Sequence, residues 1–515
     1  MTALLSALIA PALVTPTLAH PPSGTKRGPT KVAPFLKLAL AAKKKGDTKA
    51  YEAALLEVKK ILAQEGRFAC CIKGGCAECA LEGNCGCAAN LFEKKGVCKT
   101  CLESIKSGNG RYEDITPDML FEQLIPMEMR GTFGPWSMSR EGSGTTWLPE
   151  SSPMYGKMSE QGSWQLMQMG LAIMAYGDSG GKRGESQLYG ATQYMLMGQK
   201  RDTNERVLGL RGMFSLDPLT NGKKGYPNLF QTGETANGKP LKDRQHPHDL
   251  IMEIAATYSA PLTKSIRGFL YLAPAGEPAL GPAAFQHRPS TWDNPSAPIS
   301  HHWLDGTHIT YGVMTAGITV TDKWKVESSV FNGQEPNENR YTIDPIRLNS
   351  YAGRITHNPT KDISLQASYG FMKSPEALEP GVNLHRLTLS VMHNKAFENG
   401  DNLASMIALG QNIKAGSHSQ TTALLAETAY THGNQTYFAR LDSTQKDELV
   451  GVPTGAYRVQ KLSIGGIHNL KQSENGQQGI GATLDFYAYP STLKSAYGSA
   501  PLSATLFYRW RFGKM

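Results

Sequence analysis

The sequence of 515 residues predicts an antiparallel all-β transmembrane barrel of about 16 strands, preceded by a small α-helical, cysteine-rich N-terminal domain. Three observations carry this prediction. Apolar and polar residues alternate with a period of two from residue 164 to the C-terminus. The connections between these segments are short and long in turn, and the N-terminus has the composition of an export signal.

The chain begins with "MTALLSALIAPALVTPTLAH", whose apolar core from Ala3 to Val14 is followed by small residues up to Ala19. This pattern predicts a secretory signal peptide over residues 1–19. Residues 20–69 predict a linker and a helical segment, which Gly46 divides into two helices. We expect a cysteine-rich module over 70–101, a connector over 102–163 and the barrel over 164–515.

The last predicted strand, "SATLFYRWRF", has the clearest alternation. One face carries Ala504, Leu506, Tyr508, Trp510 and Phe512, and the other is mainly polar. The segments "DISLQASYGF" and "GIGATLDFYAY" repeat the pattern. A closed barrel pairs every backbone polar group within its own sheet, so only alternate residues must be apolar toward lipid. A mean hydropathy of −0.34 is therefore compatible with a membrane protein.

The connections between the predicted strands fall into two kinds. The stretches "KRDTNE", "APLTK", "TDK", "NPTK" and "HGNQ" are short, whereas 216–248, 275–306, 334–346 and 443–456 are longer. With the signal peptide and the terminal "LFYRWRF", residues 164–515 resemble the outer-membrane β-barrel proteins of Gram-negative bacteria, the porin-like class. The resemblance implies a bacterial outer-membrane location, outer-membrane lipid around the barrel, small solutes or ions as partners, and the N-terminal domain in the periplasm.

All eight cysteines lie between residues 70 and 101. The pairs Cys76-x2-Cys79 and Cys98-x2-Cys101 are separated by 18 residues, which matches the spacing of a two-knuckle zinc ribbon. Zinc or copper are the metals we expect for such a site, and a second set of ligands is available from Cys70, Cys71, Cys85 and Cys87. In an exported domain a disulfide scaffold is the favoured interpretation, metal binding is the alternative to it, and redox chemistry is the third. No C-x-x-C-H motif for haem attachment occurs.

Six histidines lie in two loop-rich stretches, "DRQHPHD" and "FQHRPSTWDNPSAPISHHWLDGTH". A weaker metal site is predicted there, from His246, His248, Asp249, His301, His302 and His308. The interpretation that we favour over a metal site is that these residues form hydrogen bonds that fold long loops into the barrel mouth as a constriction.

Strand alternation assigns individual side chains to the two faces of the barrel wall. It places Ile309, Tyr311 and Val313 toward lipid. The side chains that it predicts to face the lumen are Glu253, Arg386, Arg509 and Arg511.

The sequence contains no nucleophile elbow, P-loop or dinucleotide fingerprint in the right context, so we expect no enzymatic activity. A formal charge of +9 without a dense basic patch argues against nucleic acid as a partner. The predicted function is passage or binding of small solutes, with metal ions as the more specific form. The alternative is a structural anchor or conduit for a periplasmic electron-transfer protein.

Overall fold

The computed structural model describes residues 129–397, 399–416, 419–470, 473 and 476–513, together with scattered positions between 34 and 57. The predicted signal peptide and the cysteine-rich module lie outside the described residues. The chain divides into two compact units, Met1–Glu128 and Met129–Met515.

In the first unit, the described positions from 34 to 42 and from 49 to 57 are helical. The side chain of Asp47 accepts a hydrogen bond from the backbone N–H of Ala50 at 3.0 Å. An aspartate in this position satisfies a free N–H at the beginning of a helix.

The second unit is a closed antiparallel barrel of 16 strands, which confirms the predicted fold class. Each strand pairs with the next along the chain, and the last strand pairs with the first through contacts such as Gly170↔Phe512. A short strand, β1 (Lys157–Gln161), pairs with the beginning of β2 (Trp164–Ser179). The barrel strands are β2 (Trp164–Ser179), β3 (Ser186–Arg201), β4 (Val207–Phe214), β9 (Ile251–Pro261), β10 (Ile266–Gly276), β11 (Thr310–Val320), β12 (Trp324–Phe331), β13 (Ser350–Thr360), β14 (Ile363–Met372), β15 (Leu384–Ala396), β16 (Asn402–Lys414), β17 (Gln420–His432), β18 (Gln435–Lys446), β19 (Tyr457–Asn469), β20 (Gln477–Ala488) and β21 (Leu502–Phe512).

Four two-residue strands, β5 (Tyr226–Pro227), β6 (Thr235–Ala236), β7 (Lys239–Pro240) and β8 (Arg244–Gln245), lie in the connection after β4. Single-turn helices α1 (Asp217–Thr220), α2 (His301–Leu304) and α3 (Lys494–Tyr497) lie in three connections. Among the described residues, no helix has the length and apolar composition needed to cross a membrane.

The connections sort by length between the two ends of the barrel. One end, the short-turn end, carries the turns 202–206, 262–265, 321–323, 361–362, 397–401, 433–434 and 470–476. The other, the long-loop end, carries 215–250, 277–309, 332–349, 373–383, 447–456 and 489–501, with 180–185 and 415–419. The first barrel strand begins and the last one ends at the short-turn end, as an even strand count requires.

The outer face of the wall is apolar. On β15, Leu387 and Leu389 are exposed on the outside, whereas Arg386 and Thr388 are buried inside. Exposed aromatic side chains lie near both ends of the strands, as they do at the two interfaces of a membrane. They are Tyr258, Trp324, Tyr430, Tyr437 and Trp510 toward the short-turn end, and Tyr176, Phe214, Tyr351, Tyr369 and Phe486 toward the long-loop end.

Several stretches of the chain itself lie buried inside the barrel, including part of the connection 215–250, where Phe230 clusters with Ile299. Another is residues 129–156, the inner segment, where Trp136 and Trp147 pack edge to face at 4.8 Å and Trp147 is 1% exposed. The hydroxyl of Thr145 donates to Glu327 on β12 at 2.5 Å and accepts from Arg354 on β13 at 2.9 Å. The described part of the predicted connector, 129–163, thus belongs to the barrel unit.

A further stretch is the connection 277–309, the inner loop, which buried ion pairs hold against the wall. Arg288 lies 2.7 Å from Glu427 on β17. Asp293 lies 2.7 Å from both Arg509 and Arg511 on β21. Such pairs contribute little net stability, but removing one partner leaves an uncompensated buried charge. They therefore fix the position of the inner loop.

The predicted phase of alternation is wrong at the beginning of β11. Tyr311 and Val313 are buried toward the lumen, and it is Met314 and Ile318 that are exposed on the outside. Ile309, also assigned to lipid, packs in an interior cluster. Because apolar residues occupy both faces of this short stretch, the pattern alone gives no phase.

Candidate metal site in the barrel lumen

Three loops meet inside the long-loop end and bring together a histidine and two glutamates. Ligand atoms of Glu234, His302 and Glu335 all lie within 4.8 Å of one another. Nε2 of His302 lies 3.4 Å from Glu234, and Nδ1 lies 3.9 Å from Glu335. An imidazole between two carboxylates is a ligand set for a divalent metal ion such as zinc. We call these three residues the lumen triad.

Glycine 233 brings the backbone against the imidazole of the triad. A Cβ atom at Gly233 would lie 2.5 Å from Cε1 and Nδ1 of His302, so no side chain fits between the loop and the ring. Its φ of +103° is also in the region that favours glycine. The sequence around Gly233 therefore fixes the imidazole position through the backbone.

Further charged groups surround the triad. His246 Nε2 lies 2.9 Å from Glu234, and Arg340 bridges Glu234 at 3.5 Å and Asp249 at 3.3 Å. One oxygen of Glu376 is buried with no hydrogen-bond partner among the described residues. Glu335 is the most accessible triad member, with 19% of its side chain exposed.

The pKa values of the carboxyl groups in this cluster are shifted in opposite directions. Burial opposes ionisation of Glu234, but His246 and His302 hold the pKa of that carboxyl well below its usual range. Burial and the nearby Glu234 raise the pKa of Glu335 well above its usual range. Burial and Glu335 do the same to the pKa of Glu376. Crowded carboxyl groups of this kind are relieved when a cation binds between them.

A second group of imidazoles lies deeper, around Phe285. The ring of His308 lies 5.3 Å from that of His248 and 4.9 Å from that of His301. Nδ1 of His248 contacts Asp217 at 2.8 Å, and Nδ1 of His301 contacts Asp305 at 2.9 Å. Within the described residues, Nε2 of His248 and Nε2 of His308 are buried without a hydrogen-bond partner. Burial lowers the pKa values of His301 and His308, which favours the neutral form of both rings.

The structure thus separates the six residues predicted as a weak metal site. His302 belongs to the triad and His246 contacts it, whereas His248, His301 and His308 form the deeper group. Asp249 accepts a hydrogen bond from Tyr311 at 3.1 Å and pairs with Arg340. Several of these contacts hold loops inside the barrel mouth, which is what the interpretation as a structural constriction describes.

The four side chains predicted to face the lumen are all buried inside the wall. Glu253 pairs with Arg211 at 2.9 Å and accepts a hydrogen bond from the hydroxyl of Tyr271 at 2.7 Å. Arg386 donates to Asn412 at 3.0 Å, and the carboxyl groups of the triad region act on it electrostatically. Arg509 and Arg511 converge on Asp293.

Glu234 and Glu335 were not among the predicted site residues. They lie in the connections 215–250 and 332–349, on either side of two barrel hairpins. No local spacing motif links residues so far apart in sequence. The closed ring of strands brings the two loops together at one end of the barrel. The proximity of Glu234 and Glu335 is therefore visible in the structure and not in the sequence.

The eight cysteines predicted as metal ligands lie outside the described residues. The metal site that the cysteine spacing predicts therefore stays a prediction.

No protein-family model and no curated protein sequence matches this chain. The solved structures that it is similar to are outer-membrane porins and channels. One is an anion-selective porin from Comamonas acidovorans, with 11% identity, a TM-score of 0.43 and coverage of 68% of this chain and 100% of that one. Salmonella typhi OmpF has 10% identity, a TM-score of 0.45 and coverage of 69% and 100%. The channel DcaP of Acinetobacter baumannii has 10% identity, a TM-score of 0.43 and coverage of 70% and 100%.

Proposed function

We propose that this chain is an outer-membrane barrel that binds small solutes in its lumen and passes them, with metal ions as the favoured solute. The observation that carries the proposal is the lumen triad inside a closed barrel with an apolar outer face. The short-turn end faces the periplasm and the long-loop end faces the medium, as in outer-membrane barrels generally.

The triad favours a cation over an anion or a neutral solute. Glu234, Glu335 and Glu376 face two guanidinium groups, those of Arg340 and Arg386. Because burial raises the pKa values of Glu335 and Glu376, a divalent cation can bind there by displacing their protons, which an anion or a neutral solute cannot do. An imidazole beside the carboxylates adds a nitrogen ligand, which favours zinc or copper over calcium or magnesium.

A Zn²⁺ titration of the full-length chain in detergent, followed by calorimetry, tests this proposal. We expect Glu335→Gln to weaken one Zn²⁺ site about 10-fold or more, because the amide keeps the shape of the side chain but loses a charged ligand. His432→Gln is the matched control, since this imidazole is 66% exposed at the short-turn end. Equal Zn²⁺ affinities in the wild type and Glu335→Gln would refute a metal site at the triad.

A second candidate function follows from the filled lumen. A barrel occupied by its own chain can serve as an anchor, with the N-terminal unit docking a periplasmic protein such as an electron carrier. The full-length chain would then capture this partner from a periplasmic extract, and a chain lacking residues 20–128 would not. Equal recovery with both chains argues against the anchor.

A further inference from the structure

Methionines form most of one apolar cluster in the barrel interior, beside β2, β3 and β4. Seven are buried and three more pack against them partly buried, in a chain with 19 methionines. The buried ones are Met129, Met138, Met167, Met195, Met197, Met213 and Met252, and the partly buried ones are Met154, Met158 and Met169.

The strand register aligns these side chains in rows. Met167 on β2 lies directly opposite Met197 on β3, and Met169 lies opposite Met195. Met195 in turn lies opposite Met213 on β4. Directly paired residues have Cβ atoms about 5 Å apart, so neighbouring thioethers share one patch of the inner wall.

An interior cavity of about 70 Å³ borders this patch. Its walls include Met138, Met167, Met195 and Met197, and the imidazole of His287 from the inner loop. Such a volume holds a cation or a few water molecules.

Several polar groups that line this cavity have a buried atom without a hydrogen-bond partner among the described residues, namely Glu141, Gln193, Gln286 and His287. The Nε2 atom of His287 is buried and meets no hydrogen-bond partner in the part of the chain that the structure describes. An imidazole nitrogen without a hydrogen-bond partner can donate a lone pair to a metal ion.

Simple packing does not account for this composition. Leucine, valine and isoleucine fill strand interiors with less conformational freedom, and methionine is not among the residues enriched in strands. The barrel interior also contains buried ion pairs, such as Arg211–Glu253 and Arg354–Glu327. Thioethers with a neutral imidazole are the soft ligands that select monovalent copper.

We propose that the cavity lined by Met167, Met195, Met197 and His287 binds a soft monovalent cation of the Cu⁺ and Ag⁺ class. This inference rests on the proposed function and deepens it, because it names the class of metal. The triad at the long-loop end supplies oxygen and nitrogen ligands, and the methionine cavity supplies sulfur ligands nearer the short-turn end.

The test is a titration with Ag⁺, which is redox-inert, in chloride-free buffer. The protein is the full-length chain in detergent micelles with methionine labelled at the ε-methyl carbon and all eight cysteines replaced by serine. We expect Ag⁺ to shift the methyl signals of the cavity methionines. Met174 and Met314 are internal controls, because they are 58% and 46% exposed on the outer face. Shifts that include these controls equally, or no shifts, overturn the inference.

The double variant Met167→Leu/Met195→Leu separates ligation from packing. Leucine conserves the volume, so the barrel stays folded, which heat-modifiable electrophoretic mobility checks. We expect the Ag⁺ affinity read from the remaining methyl signals to fall about 10-fold or more, and Met174→Leu to leave it unchanged. An unchanged affinity in the double variant overturns the inference.

The metal site at the triad and the soft-cation cavity can be contradicted independently of each other. A chain that binds Zn²⁺ through Glu335 but gives no methionine shifts with Ag⁺ contradicts the soft-cation cavity alone. A chain that gives those shifts, but whose Zn²⁺ affinity is unaffected by Glu335→Gln, contradicts the metal site at the triad alone.

Discussion

At the scale of single residues, Gly233 determines where the imidazole of the triad lies. We expect Gly233→Ala to displace His302 and to weaken Zn²⁺ binding about 10-fold, because the new Cβ would overlap the ring. Gly238→Ala is a matched control in the same loop, with a φ of +69° and no atom within 4 Å of its Cβ. Both variants incur the backbone cost of a positive φ. The difference between their Zn²⁺ affinities, measured by calorimetry, therefore reports the overlap of the new Cβ with the ring of His302. Equal losses of affinity would mean that the clash is irrelevant.

Glu277, the first residue after β10, makes the stability of the barrel depend on pH. Burial raises the pKa of its carboxyl to about 8, above the usual value of 4.5. Between these two values the folded chain keeps a proton that the unfolded chain has lost, so the free energy of unfolding falls as pH rises from about 4.5 to 8. Above pH 8 this contribution is constant.

Replacing Glu277 by glutamine removes this titration. We expect Glu277→Gln to unfold at higher urea concentration than the wild type at pH 9, with a smaller difference at pH 5. Glu185→Gln is the control, because the side chain of Glu185 is 62% exposed. A wild type that gains stability between pH 5 and pH 9 through Glu277 would contradict the assignment.

At the scale of elements, the inner loop is held by Asp293. In Asp293→Asn, Arg509 and Arg511 lose their shared carboxylate, which costs about 3 kcal/mol of unfolding free energy because both guanidinium groups stay buried. In the control Asp362→Asn the pair with Lys395 is 3.7 Å long and half-exposed, and we expect a loss of less than about 1 kcal/mol. Urea unfolding in lipid vesicles measures both. Similar losses would mean that the inner loop is not anchored through Asp293.

The strands were predictable because lipid outside and polar groups inside impose a period of two. The alternation of "SATLFYRWRF" and the sorting of connections by length both reappear in the structure. The beginning of β11 was not predictable in phase, since Tyr311 and Val313 are apolar and yet face a packed interior. The inner segment was also missed, because 129–156 carries no strand pattern and its partners, such as Glu327, are far away in sequence.

The candidate site could be predicted from the sequence only in part. The histidines were found because they cluster in "DRQHPHD" and in the stretch from His287 to His308. The acidic ligands Glu234 and Glu335 come from separate loops, and the methionine rows appear only when the register of β2, β3 and β4 is known.

At the scale of the whole molecule, we predict one metal site in the cysteine-rich module and a separate one at the lumen triad. We expect protein purified without reductant to contain zinc or copper bound through Cys76, Cys79, Cys98 and Cys101, measured by elemental analysis together with a count of free thiols. Serine at these four positions should remove that metal while the Zn²⁺ site at the triad remains. Absence of both bound metal and free thiols would indicate a disulfide scaffold instead.

The central claim is that a closed 16-stranded barrel spans the membrane with its lumen filled by its own chain. Single-channel conductance of the full-length chain in planar bilayers tests it most directly. We predict insertion with a conductance well below that of an open 16-stranded porin, and a larger conductance for Asp293→Asn, which releases the inner loop. A wild-type chain that conducts like an open porin would contradict the claim.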